Sequence, residues 1–206
     1  MKKEYLRRLR LVLSKELSAK NKIHTIGSLE VPVLWHSFRI INWHQEELQK
    51  LDRKTRKLLI IHGQHHPKAD VDRLYVPRKQ GGRGLLQVEA AYAVENTKFV
   101  EYVDRKEDPL IQIVRTHQHN TDSAVLLTAG CLRTEVQKEK RKLKESIAEK
   151  IKEKWHGKRM HGQLPRNLDQ KQLDIELTYR WLKSSDIEGQ TESTIVAAQE
   201  KATSTN

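Results

Sequence analysis

The chain holds one cysteine, Cys131, in 206 residues. No disulfide can close within it, and neither a cysteine-rich zinc site nor a Cys-Cys-His-Cys knuckle can form. A lone thiol fits a reducing compartment, nuclear or cytoplasmic, and argues against secretion. Apolar residues make up only 36% and aromatic ones 5%. No apolar run approaches the roughly 18 residues that a membrane span needs, so no membrane partner is expected. The N-terminus, broken by Lys2, Lys3, Arg7, Arg8 and Arg10, has no signal-peptide core. Carboxylates are plentiful, yet no two Asp are adjacent. Neither G-x-G-x-x-G nor a P-loop occurs.

What the chain does have is positive charge. It carries a net +12, with 32% charged residues and a pI near 9.7, which points to a polyanion partner. The charge is uneven. Residues 1–60 hold 14 cations against 6 anions, 61–130 hold 9 against 9, 131–183 hold 15 against 8, and 184–206 hold 1 against 4. Two basic stretches therefore flank a neutral middle, and an acidic, polar end follows.

Helical periodicity dominates. Tyr5, Leu6, Leu9, Leu13 and Leu17 lie on one face of a first helix, expected to end near Ser18 to Asn21. A second apolar segment runs from Ile23 to Trp43, with Pro32 marking a kink or a helix start. A third helix is expected over about 44–61, a fourth over 87–105, and a short one from Pro109. Asn120, Thr121 and Asp122 offer caps for a long helix from about Ser123 to Trp155, bent near Gly130. A helix bearing Leu173, Leu177 and Trp181, capped by Asn167 or Asp169, should come next. From Ser184 onward a poorly ordered tail is expected, in which Ile195, Val196, Ala197 and Ala198 could make a helical turn.

The third helix carries the sharpest local pattern. Leu48, Leu51, Thr55, Leu58 and Leu59 share one side, and Lys50, Arg53, Lys54 and Lys57 share the other. Such a basic side is either a solvated face or a ridge that tracks phosphates, with binding that weakens as salt rises. The long helix mixes lysines with Glu139, Glu145 and others around an apolar seam, the usual pattern of a helix packed on a partner. Two histidine groups, His62, His65, His66 and His117, His119, lack accompanying cysteine or matched carboxylates. No metal site and no cofactor is expected from them.

The run from His66 to Leu85 places Leu74, Tyr75 and Val76 as a short strand candidate, stopped by Pro77. Gly81, Gly82 and Gly84 then supply a turn. Arg73, Arg78, Lys79 and Arg83 surround it. On the residues alone, this is a surface hairpin or a phosphate contact.

Pro-Lys-Ala-Asp-Val-Asp-Arg-Leu-Tyr-Val-Pro-Arg-Lys (67–79) with Gly-Gly-Arg-Gly-Leu (81–85) resembles the segment that follows the reverse-transcriptase thumb in non-LTR, LINE-like retrotransposon polyproteins. The branch with a restriction-like endonuclease is the nearest in appearance. Residues 40–59 are similar to the thumb itself. His161-Gly162-Gln163-Leu164-Pro165 is similar to a shorter motif of the linker. The resemblance runs from about Tyr5 to Ala198. It implies nucleic-acid contacts at Lys50, Arg53, Lys54, Lys57, Arg73, Arg78, Lys79 and Arg83, and in the linker loop at Lys158, Arg159, His161 and Arg166. It also implies RNA and DNA partners, a primer–template duplex or element RNA. The palm's Asp-Asp metal-binding motif and the nuclease domain are missing from this sequence, so the chain is expected to act without either catalytic centre.

The expected fold is therefore mainly α. A thumb-like helical bundle (1–62) leads into a basic glycine-turn hairpin (63–86), a helical linker module with a long basic helix (87–183) and a tail (184–206). Two other readings stand beside it: an open reading frame of a decayed element with no selected function, and a helical protein-interaction module whose charges only solubilise it.

Overall fold

The computed structural model describes residues 1–105, 108–120, 136–170, 173–184 and 186–202. The expected capping residues Thr121 and Asp122, the first part of the long helix and Gly130 lie outside them. The fold is mainly α, and no strand occurs among the described residues.

The first helix, α1 (Lys2–Leu13), is shorter than its apolar pattern suggested. Tyr5, Leu9 and Leu13, four residues apart, form its buried stripe. Ser18 does not end α1; its hydroxyl accepts from the amide of Asn21 and caps α2 (Ala19–Thr25). The chain then winds through one π turn (Ile26–Glu30) and restarts as α3 (Pro32–Ile40), with Pro32 in its first turn. There its missing amide costs nothing. The apolar segment of 23–43 is thus the end of α2, the π turn and α3, with Pro32 marking a helix start as one of its two expected roles.

α4 (Gln45–Ile61) lies where its periodicity placed it, with Glu46 and Glu47 in the first turn favouring the positive end of the helix dipole. Leu48, Leu51, Thr55 and Leu59 are its buried side. The three leucines join Tyr5, Leu9, Ile26, Leu34 and Phe38 in the main core. Phe38 sets Trp43 and Tyr92 edge-on at 5.8 and 5.2 Å between ring centres, and the Tyr5 and Thr55 hydroxyls share a buried hydrogen bond of 2.8 Å. Leu74, Leu85, Val88 and Ala91 belong to the same core. The core therefore passes without a break from the first helices through the glycine turn into the following helix.

The strand expected at Leu74–Val76 is not formed. Asp70 caps a short helix, α5 (Val71–Tyr75), its carboxylate accepting from the amides of Asp72 and Arg73 at 2.7 and 3.1 Å. Local capping by a carboxylate outweighs the β preference of two or three apolar residues. Val76, extended because Pro77 follows it, leads to one 3-10 turn (Arg78–Gln80). The chain does double back: the amides of Arg83, Gly84 and Leu85 donate to the carbonyls of Arg73, Val76 and Leu74. Gly81, at φ +88°, makes the reversal in left-handed backbone and lies under the Tyr179 ring.

Two long helices follow, α6 (Val88–Arg105) and, after α7 (Pro109–Asn120), α8 (Val136–His156). α8 packs on α5 and α6. Its Trp155 is fully buried, with the Arg73 guanidinium 5.2 Å from the ring centre. Beyond it, the single helix expected through Leu173, Leu177 and Trp181 is instead α9 (Gln163–Gln170), α10 (Ile175–Thr178) and α11 (Arg180–Ser184). The cap is Asp174, whose carboxylate takes the amides of Glu176 and Leu177.

The end of the chain differs most from expectation. Residues expected as a loose tail form α12 (Gly189–Gln199). Gly189 sits so close to Gln64 that a Cβ would fall 2.0 Å from the amide. The Ser193 hydroxyl donates to the Gly63 carbonyl, and Val196 and Ala197 are buried. Long-range contacts order a segment whose own composition gave no helical stripe.

Candidate nucleic-acid interface

The twelve cations singled out in the sequence divide into two kinds. On α4, Lys50, Arg53, Lys54 and Lys57 occupy positions i, i+3, i+4 and i+7, one face of the helix, and all four are exposed. Lys50 stands 3.8 Å from Glu46 on the helix surface, a solvent-screened pair. Among the described residues, Arg53, Lys54 and Lys57 have no ion-pair partner. The face follows from the buried one: with Leu48, Leu51, Thr55 and Leu59 fixed in the core, these positions can only point outward.

Around the glycine turn the opposite holds. Arg73 and Arg83 are 0% and 1% exposed. Arg73 donates to the Gly81 and Val196 carbonyls at 2.9 and 3.2 Å and pairs with Glu200 at 3.4 Å. Arg83 pairs with Glu192 at 2.7 Å and donates to the Gln64 carbonyl. Arg78 forks onto both oxygens of Glu192 at 2.8 and 3.0 Å and also reaches the Leu182 carbonyl. These three arginines, expected to meet phosphate, are spent on Glu192 of α12 and on Glu200 just past its end. Arg73 and Arg83 are paired and desolvated, and present no guanidinium fork to solvent, although the Arg83 Nη2 is left without a hydrogen-bond partner among the described residues. Lys79 alone of the turn cations is exposed.

The loop after α8 is mixed. Lys158 pairs with Asp70 and Asp72; hydrogen bonds to both carboxylates raise its pKa although partial burial works the other way. The His161 Nδ1 lies 3.3 Å from Glu200. Arg166 donates to the carbonyls of His156, Lys158 and Arg159, closing the loop on itself. Arg159 is exposed.

The structure thus brings together an exposed row on α4 and, separately, a buried network of Asp70, Arg73, Arg78, Arg83, Glu192 and Glu200. Glu192 and Glu200 were missed because a short polar segment with excess anions reads as a tail. The signal was its sign, opposite to the arginine-rich turn. Also missed was Asp52, buried under α4, whose carboxylate accepts from the amides of Val88 and Glu89 at 2.9 and 3.3 Å and so caps α6. Burial pushes its pKa up to about 6, against the pull of those two amides. His65 moves the other way, to about 4, because it is buried and Arg83 lies nearby.

Among the described residues, no group of three His, Cys, Asp or Glu side chains is placed to hold a metal ion, and no helix is long and apolar enough to cross a membrane. Neither a family model, nor a curated protein, nor a solved structure matches the chain.

Proposed function

We propose that the chain is a nucleic-acid grip, the thumb and linker of a non-LTR retrotransposon reverse transcriptase, which holds a primer–template duplex or element RNA. The observation that carries this reading is the row Lys50, Arg53, Lys54 and Lys57, exposed on one face of a helix whose other face is anchored in the core. A rigid helix holding four cations along about 10 Å matches the spacing of phosphates along a strand, and needs no side-chain network to be dismantled first. The likeness of residues 40–59 and 67–85 to the thumb and post-thumb segments supports the same role. Lys79 and Arg159 add exposed charge. Arg73, Arg78 and Arg83 shape the turn and are not part of the grip.

The test is binding of the purified chain to a short RNA–DNA duplex across a salt series. A Kd of about micromolar or tighter is expected, with log K falling along log salt by a slope of roughly four phosphates. Replacing Lys50, Arg53, Lys54 and Lys57 together by Glu should abolish it. A folded sample that ignores the duplex and heparin alike overturns the proposal in favour of a protein-interaction module.

A further inference from the structure

α4 and α8 enclose a cleft of about 390 Å³ whose walls carry Arg53 and Arg56 on one side and Lys150 and Lys154 on the other. Carboxylates reach it too, but each is already engaged. Both oxygens of Asp52 cap α6. Asp72 holds Lys154 at 3.3 Å together with Lys158. Glu89 accepts from the side chains of Gln45 and Gln87. Arg56 spends one nitrogen on the Tyr75 hydroxyl at 2.7 Å. Among the described residues, Arg53 and Lys150 have no ion-pair partner. Three cations, Arg53, Arg56 and Lys150, therefore keep unspent donors at one hollow, where Asp72 is paired with lysines and the lone pairs of Asp52 and Glu89 are taken up by neutral amides. That is the electrostatic form of an anion site.

A second hollow of about 250 Å³ adjoins the first and shares Tyr75, Gln87 and Ile151 with it. Its lining is largely apolar, with Trp35, Leu86, Val94 and Ile147, and also carries the Glu95–Lys98 pair and Lys144; the Lys98 ammonium stands 5.1 Å from the Trp35 ring centre. A phosphate site opening beside a largely apolar slot with two aromatic rings, Trp35 and Tyr75, has the two parts a nucleotide needs. Flat bases stack on aromatic rings whatever their sequence, and their phosphate needs fixed cations alongside.

We infer that this double hollow binds a single unpaired nucleotide, its phosphate on Arg53, Arg56 and Lys150 and its base in the slot between α6 and α8. The inference rests on the grip proposed above, because Arg53 also belongs to the exposed row. It deepens that reading by naming what the grip distinguishes. A blunt duplex would meet α4 alone, whereas a strand with one unstacked nucleotide would engage α4 and α8 together. The long helix would then be a wall of the site.

Two RNA–DNA duplexes, identical except for one bulged 4-thiouridine, test this. The bulged probe should bind about tenfold tighter, the worth of one stacked base. On irradiation its crosslink should map to peptides carrying Ala90–Val94 or Ile147–Ile151. Lys150→Glu should erase the preference for the bulge, and Ala91→Trp, which fills the slot, should erase the crosslink; circular dichroism checks that both variants fold. Equal affinity for the two probes with crosslinks confined to α4 overturns the nucleotide site and leaves the grip standing. Binding of neither probe overturns the grip itself, and the nucleotide site with it.

Discussion

Residues 50–57 hold five cations and residues 73–83 hold four, and the fold uses the two sets in opposite ways. On α4, among the described residues, Arg53, Lys54 and Lys57 stand in water without an ion-pair partner, Lys50 meets only the exposed Glu46, and half-buried Arg56 turns to the Tyr75 hydroxyl. In the glycine turn, Arg73, Arg78 and Arg83 are folded inward onto Glu192 and Glu200. The difference lies in what surrounds each stretch. α4 places its cations opposite a continuous apolar stripe, so the core itself turns them out. The turn has three glycines, little side-chain bulk to fill the space under it, and a carboxylate-bearing helix arriving from more than 100 residues away. Positive charge in a sequence therefore marks a ligand surface only where the same segment shows what it buries.

Glu192 is where that contrast breaks most visibly. Glu192→Gln removes the charge that both Arg78 and Arg83 face, leaving a guanidinium that is 1% exposed without its counter-ion. The expected loss is about 3–5 kcal/mol of stability, a drop in Tm of roughly 10 °C for a chain of this length. Urea denaturation of the variant beside the parent measures it. A change under about 1 kcal/mol would mean that these arginines face solvent and belong with α4 after all.

How far the sequence could be read follows the same line. α4, α6 and the start of α7 were legible, because each has a long apolar stripe or a proline at its first position. The exposure of Lys50, Arg53, Lys54 and Lys57 was legible for the same reason. α5 was not, since five residues carry no period and the deciding feature, the Asp70 cap, looks like any other Asp. α12 was least legible: its residues pack through Ser193, Val196 and Ala197 against Gly63, Ala69 and their neighbours, contacts that no local pattern records. The burial of the turn arginines was not legible either, because their partners lay in the stretch read as tail.

The buried side of the contrast can be sharpened with pH. Asp52, raised to about 6 in the fold from 3.8, favours the folded state at low pH; that contribution is complete below about 4 and is lost as pH rises through 6. His65, lowered to about 4 from 6.5, contributes above about 6.5, and this is lost as pH falls through 4. The two oppose each other across one window, each by about 3 kcal/mol. Asp52→Asn should uncover the histidine, so that the variant loses stability between pH 6.5 and 4 more steeply than the parent. His65→Gln should do the reverse. Denaturation midpoints at four pH values decide it, and parallel curves for all three proteins would show that neither group is desolvated.

The exposed side breaks through binding, not stability. Replacing Lys50, Arg53, Lys54 and Lys57 together by Glu should weaken duplex affinity at least about a hundredfold near 0.1 M salt, yet shift unfolding by less than about 1 kcal/mol. A variant that loses both would show the row to be part of the packing.

Lys79 is the finest discriminator because it sits inside the turn yet is exposed like α4. Its neighbour Arg78 is held by Glu192 and the Leu182 carbonyl. If environment and not sequence position decides, Lys79→Ala should leave stability within about 0.5 kcal/mol, while Arg78→Ala costs about 2 kcal/mol or more for the half-empty carboxylate it leaves behind. On the binding side the order reverses. Lys79→Ala is expected to lower the salt slope by at most about one phosphate. Urea midpoints and the salt series read the two effects separately. Equal destabilisation by both substitutions would put Lys79 in the buried network and remove the turn from the nucleic-acid surface entirely.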